Sequence, residues 1–159
     1  MDDAALSVVE LLTKRGETVA VAESLTGGLV CAAITEIPGA SVVLRGGVVA
    51  YAIELKATLL GVSPELLAER GPVDPDVAVA MAHGVRARCG ATYGLATTGV
   101  AGPDSQGGFA PGTVHVAVVS ADDSEFVRTL HLTGNRAEVR AASVAAALQL
   151  LAGAADTSA

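Results

Sequence analysis

The sequence predicts an α/β fold: a mixed, mainly parallel sheet with helices on both faces, completed by a C-terminal antiparallel hairpin and a helix. Two observations carry this. From the start of the chain to Thr98, short apolar runs alternate with segments of helical spacing, the pattern of parallel strands joined by helices. Beyond it, two apolar runs follow one another across the polar turn Ala121-Asp122-Asp123, so they pair as a hairpin and add antiparallel strands.

Taken in order, the first helix runs from Asp3 to Arg15, with Leu6, Val9 and Leu12 at helical spacing and Gly16 as its stop. Thr18 to Ala22 is an apolar run suited to a buried strand. It gives way at Glu23-Ser24 to a helix over Thr26 to Ile37, closed by Pro38-Gly39. After a turn at Arg45-Gly46, a second strand covers Gly47 to Ala52, and Glu54 to Leu60 reads as a short helix ending at Gly61. Ser63 to Gly71 supplies another helical turn or two. Asp74 then caps a helix with Pro75 in its first position, where the missing N–H matters least. Val77, Met81 and Val85 form its inward stripe, and Gly90 ends it.

Tyr93 to Thr98 is the third strand, followed by a Gly-rich loop from Gly99 to Gly112. Thr113 to Ser120 and Glu125 to Thr133 make the hairpin. The last helix covers Arg136 to about Ala152, with Asn135 and Glu138 spaced as a capping box. At 159 residues the chain fits one domain, taken as residues 1–153, with residues 154–159 as a frayed tail.

Composition narrows the function classes. Aromatics are 3% of the chain and Trp is absent, so the core must be aliphatic. A formal net charge of −7 and a pI near 4.8 argue against general nucleic-acid affinity, which needs a basic face. A few arginines focused in a cleft still suffice for one small anion. Apolar stretches stop well short of the roughly 20 residues a membrane span requires. The acidic start Met1-Asp2-Asp3 is unlike a signal peptide, which makes a cytoplasmic location the default expectation. Cys31 and Cys89 lack metal-motif or framework spacing, and Cys31 reads as a buried thiol. His83, His115 and His131 lack ligand spacing, so no metal site is expected.

In an open α/β sheet, ligands bind beyond the carboxyl ends of the strands. Ser24 lies where the first strand becomes a helix, Tyr51 lies near the end of the second, and Lys56 lies one turn further on. Thr97, Thr98 and Gly99 end the third. The turn Thr26-Gly27-Gly28 offers unobstructed backbone N–H groups at a helix start, a setting that favours an anion or a developing oxyanion. Ser24 there is either a nucleophile or, with Thr26, a simple N-cap; spacing alone favours the cap. Lys56 is either a base whose pKa burial has lowered or a solvated lysine on an amphipathic helix. Tyr51 could relay a proton or pack in the core. Glu23 and Glu54 could orient Lys56 or a ligand hydroxyl, or serve elsewhere. Arg45, Arg136 and Arg140 are candidate phosphate clamps; Arg136 stands at a helix start, where a bare cation is disfavoured and a bound anion would relieve it.

Ala22-Glu23-Ser24-Leu25-Thr26-Gly27-Gly28, Pro38-Gly39-Ala40-Ser41, Gly46-Gly47-Val48-Val49-Ala50-Tyr51 and Glu54-Leu55-Lys56 follow one another at family-like intervals. So do Leu59-Leu60-Gly61-Val62, Thr98-Gly99-Val100-Ala101-Gly102-Pro103, Gly112-Thr113-Val114 and Gly134-Asn135-Arg136. This ordered set resembles the CinA C-terminal domain family and covers nearly the whole chain. The resemblance implies a three-layer α/β/α fold, often dimeric. It also implies hydrolysis of the carboxamide of nicotinamide mononucleotide to nicotinate mononucleotide and ammonia, in pyridine-nucleotide recycling. By position, Ser24 would be the nucleophile, Lys56 its base and Tyr51 an aid to proton transfer. Thr98 and Gly99, with the Thr26-Gly27-Gly28 turn, would bind substrate or oxyanion, and Ser41, Arg45 and Arg136 would lie near phosphate and ribose. No metal or cofactor is implied; the expected partners are a nucleotide substrate and a second copy of the chain.

Two departures stand out. Ala52 and Ile53 occupy positions that many members fill with polar residues, and the loop Asp104 to Pro111 is individual. The alternatives to the amidase are therefore a catalytically silent nucleotide-binding module and a hydrolase of another small amide.

Overall fold

The computed structural model describes residues 3–157; Met1 and Asp2 of the acidic start, and Ser158 and Ala159 of the tail, lie outside the described residues. Five strands, β1 (Val19–Glu23), β2 (Leu44–Val49), β3 (Tyr93–Gly99), β4 (Thr113–Val119) and β5 (Glu125–His131), form one sheet in the order β2-β1-β3-β4-β5. Strand β1 pairs parallel with both β2 and β3, while β3–β4 and β4–β5 are antiparallel. The sheet is therefore mixed, with an antiparallel outer half.

Among the described residues six α-helices accompany it: α1 (Asp3–Arg15), α2 (Leu29–Thr35), α3 (Ile53–Leu60), α4 (Pro64–Arg70), α5 (Pro75–Cys89) and α6 (Arg136–Thr157). Helices α1, α2 and α6 share one core with Val19, Val21, Tyr93 and Leu95 of the sheet. On the opposite face a second core joins α5 and the flanking α3 and α4 to Ala20, Ala22, Ala96 and Ala117. The period of two along β1 and β3 thus sends Val, Tyr and Leu one way and Ala the other.

That asymmetry lets α5 lie against the sheet at backbone distance. A Cβ on Gly94 would fall 1.9 Å from the Ala82 carbonyl oxygen of α5. On its other side α5 is just as tightly seated: a Cβ on Gly84 would fall 1.8 Å from the carbonyl oxygen of Leu60 at the end of α3. Helix α3 is in this way held at a fixed height above the carboxyl end of the sheet.

Caps behave as the sequence indicates at both helices where they were expected. Asp74 accepts from the N–H groups of Asp76 and Val77 at 2.8 and 3.2 Å. Asn135 Oδ1 accepts from Glu138 N at 2.9 Å while Asn135 N donates back to Glu138 Oε1 at 3.1 Å, a reciprocal capping box.

Several boundaries differ from the sequence expectation, and three of the differences bear on the packing. Strand β2 starts at Leu44 and runs through Arg45-Gly46, which read as a turn. Gly47 serves packing: a Cβ there would lie 2.3 Å from Cys31 Sγ of α2, whereas Gly46 has room for one, 3.6 Å from Cys89 Sγ of α5. Helix α2 begins at Leu29 because Gly27 and Gly28, both at positive φ, hold the chain in a turn until there. Finally, residues 154–157 are helical, not frayed. Ala154 and Ala155 are buried in the core, and Arg15 of α1 donates to the Ala155 carbonyl.

Two glycine substitutions test this packing. Gly84→Ala is expected to destabilise the protein by about 1–3 kcal/mol in urea unfolding, as overpacking of a fixed backbone does. Gly153→Ala, in the same helical context but with open space around it, is expected to stabilise by up to about 1 kcal/mol.

Candidate active site

Where β1 ends, alternation places successive residues on opposite faces. Glu23 turns toward α2 and Ser24 toward α3. The Glu23 side chain is wholly buried, yet its charge is met: Oε1 and Oε2 accept from the backbone N–H groups of Val30 and Cys31 at 2.9 and 3.1 Å. A carboxylate from the strand thus caps a helix whose own N-cap, Gly28, has no side chain. Glu23 therefore anchors α2 and has no contact with Lys56.

Lys56 of α3 is 1% exposed. Its Nζ lies 3.1 Å from Ser24 Oγ and donates to the Ala50 carbonyl oxygen at 2.7 Å. Burial pulls its pKa down to about 8, because the ammonium loses more hydration than these neighbours replace. An amine in that state is present in both protonation forms near neutral pH. The turn after Ser24 is fixed from two sides. Thr26 and Thr97 hydroxyls meet at 2.8 Å below it, and Arg140 of α6 donates to the carbonyls of Leu25 and Thr26 at 3.0 and 3.3 Å.

Ser24 and Lys56 open onto a cavity of about 470 Å³. Tyr51, Thr98, Gly99 and Arg136 line it too, so six of the eleven expected site residues come together. Thr98 donates its hydroxyl to the Pro72 carbonyl at 2.6 Å, which fixes its Oγ1. Arg136 Nη2 donates to the Tyr51 hydroxyl at 3.0 Å and Nη1 to the Gly102 carbonyl at 2.7 Å. The Gly-rich loop after β3 and the end of α4 complete the wall.

The other five lie elsewhere. Thr26 points into the protein toward Thr97, and the Gly27 N–H is spent on the Ser24 carbonyl within the turn. Gly27 lies under Arg140, whose Nη2 would be 3.4 Å from a Cβ there, and Gly28 serves as the N-cap of α2. Arg45 and Ser41 fall at the opposite end of the sheet: β2 is parallel to β1, with Leu44 beside Val19 and Val49 beside Glu23. Arg45 Nε donates there to the Cys89 carbonyl at 3.1 Å. Arg140 also proves to clamp the serine turn and not a ligand.

Sequence reasoning missed Arg70 and the loop residues Asp104, Gln106 and Phe109 as cavity lining. Arg70 comes to the cavity from the end of α4, paired with Asp74 and Asp76 at 3.2 and 3.3 Å; nothing in its local sequence signals this. The lining thus carries three basic side chains, Lys56, Arg70 and Arg136, and one carboxylate, Asp104, with the charge of Arg70 already met by its two aspartates. The histidines lie outside the cavity: His83 pairs with Glu125, and His115 bonds Thr129 in the core, where burial holds its pKa below the ordinary value. Burial, with Glu23 adding in the same sense, pushes the Cys31 thiol up to about 12, so it is not a nucleophile. Among the described residues no group of three or more His, Cys, Asp or Glu could hold a metal ion, and no helix is long and apolar enough to cross a membrane.

Comparison with known proteins agrees with this architecture. The chain is 50% identical over 144 residues to a CinA-like protein of Frankia casuarinae, covering 91% of this chain and 33% of that protein. A CinA-like protein of Myxococcus xanthus is 42% identical over 148 residues, again 91% of this chain and 34% of the relative. The chain thus spans about a third of the length of these curated relatives.

Among solved structures, the competence/damage inducible protein CihA of Agrobacterium tumefaciens superposes with a TM-score of 0.92 at 35% identity, covering 97% of this chain and 94% of that one. A CinA superfamily protein of Klebsiella pneumoniae gives 0.94 at 28% identity, covering 98% and 97%. The family model described as the CinA C-terminal domain matches residues 1–155, and the chain belongs to that family.

Proposed function

We propose that this chain is a cytoplasmic amidohydrolase that splits the carboxamide of nicotinamide mononucleotide through Ser24. The observation that carries the reading is the buried Lys56 amine, 3.1 Å from Ser24 Oγ at the floor of a cavity large enough for a nucleotide. Neutral Lys56 accepts the Ser24 proton as Oγ attacks the amide carbon. The resulting ammonium then returns a proton to the departing nitrogen as the C–N bond breaks, and ammonia leaves. Water attacks the remaining ester by the same route, releasing the carboxylate and restoring the serine. The Arg136 guanidinium in the lining supports an anionic substrate, and membership of the family supports the choice of a nucleotide.

A second copy of the chain is the partner proposed. Val49, Leu55 and Leu59 are exposed apolar side chains at the end of the open edge strand β2 and on α3, and a second copy would cover them.

Ammonia release from nicotinamide mononucleotide by the purified protein tests the reaction. Ser24→Ala is expected to lower kcat by about 10⁴-fold or more, and Lys56→Met by about 10²- to 10⁴-fold. Silence in the parent, with the fold intact, would transfer the reading to a binding module or to another amide. Since the base must be unprotonated, kcat/KM is expected to rise with pH and level off above about 8. A flat profile across that range would remove Lys56 from the mechanism.

Stability has its own pH signature. Lys56 titrates lower in the folded chain than in the unfolded one, where an ordinary lysine sits near about 10.4. Between these values the unfolded state binds more protons, so stability rises with pH. Below about 8 the cost of the buried charge is fully present. The parent is therefore expected to gain stability relative to Lys56→Met as pH climbs from about 8 toward about 10.4, checked by urea unfolding at several pH values.

A further inference from the structure

The cavity contains a feature that the serine–lysine chemistry leaves unused. Four aromatic residues make up the aromatic complement of the chain: two Tyr, two Phe and no Trp. Tyr93 is fully buried, and Phe126 packs against the main core. The other two, Tyr51 at 58% and Phe109 at 37%, are exposed, and both line the cavity. An aromatic-poor protein has thus placed its two accessible rings at the mouth of one site.

Phe109 is held there deliberately by local geometry. Gln106 and Phe109 exchange backbone hydrogen bonds at 3.0 and 2.9 Å across Gly107-Gly108. Both glycines have positive φ, 58° and 83°, as a two-residue type I′ hairpin requires. The turn keeps the loop from being a floppy flap and presents Phe109 on its return arm. Across the site, Arg136 holds the Tyr51 hydroxyl at 3.0 Å, so that ring too is fixed. Ile53, half-exposed on the same wall, adds an apolar surface.

Resting on the amidase reading, we infer that Phe109 is a specificity-determining residue that stacks on a flat heteroaromatic ring of the substrate, with Tyr51 as the second aromatic contact. Ring recognition is thereby separated from binding of the anionic end, which falls to Arg136. The amide this site accepts is one borne on an aromatic ring; an aliphatic amide on the same phosphate handle would lose the stacking contact.

Binding is measured on the Ser24→Ala chain, which leaves the amide intact, with nicotinamide mononucleotide and ribose 5-phosphate as probes. Adding Phe109→Ala is expected to weaken the nucleotide about tenfold, the scale of a lost stacking contact, and to change ribose 5-phosphate by less than twofold. Phe109→Tyr is expected to keep nucleotide affinity, and Phe109→Leu, apolar but without a ring, to lose it like alanine. Equal weakening of both probes, full affinity in Phe109→Leu, or no effect of Phe109→Ala would each overturn the assignment. Should the Ser24→Ala chain bind neither probe while unfolding at the parent temperature, the amidase reading itself falls and takes this inference with it.

Discussion

Everything at the candidate site depends on how closely α5 is wedged between the sheet and α3. Two missing side chains make that possible, at Gly94 on the sheet and Gly84 on the helix, each replaced by a carbonyl oxygen of the facing backbone. Steric contact of this kind cannot relax by rotating a side chain, so it fixes α3 more firmly than side-chain packing alone. The position of α3 in turn decides whether the Lys56 amine meets Ser24 or points at solvent. The apolar face of small residues, Ala20, Ala22, Ala96 and Ala117, belongs to the same arrangement.

Electrostatically the site depends on separating two buried charges that are close in sequence and space. Glu23 and Ser24 are adjacent, and a carboxylate facing Lys56 would hold that amine protonated and useless as a base. Strand alternation turns Glu23 away, and two N–H groups at the start of α2 absorb its charge. Lys56 is left with neutral partners, a hydroxyl and a carbonyl, and desolvation alone governs its proton. Arg136, bonded to the neutral Tyr51 hydroxyl and Gly102 carbonyl, then brings a positive charge to the cavity wall, away from the amine's immediate partners.

Most of the fold was legible because its signals are local. Helix caps at Asp74 and Asn135, the stripe on α5 and the hairpin turn each depend on a few neighbouring residues. Strand β2 was placed three residues late because Arg45-Gly46 looks like a turn until its parallel pairing with β1 is known. The tail was misread for a similar reason: its alanines are helical through contact with α1, more than a hundred residues away. At the site, Ser24, Lys56, Tyr51 and Thr98 were readable because each falls at the carboxyl end of a strand or just after it. Arg45 and Ser41 failed because parallel pairing, not sequence distance from Ser24, decides which end of the sheet a residue occupies. Arg70 and Arg140 could not have been assigned locally at all.

The clamp from Arg140 onto the serine turn has a consequence in time. Leu25 and Arg140 are 115 residues apart in the chain, yet one guanidinium holds the turn that carries Ser24. At about 5–20 residues per second of synthesis, roughly 6 to 23 s separate the emergence of the two partners. Throughout that interval the nascent chain already contains Ser24 and, soon after, Lys56, but their turn lacks the clamp from α6. The serine turn takes its final set of contacts only when α6 docks.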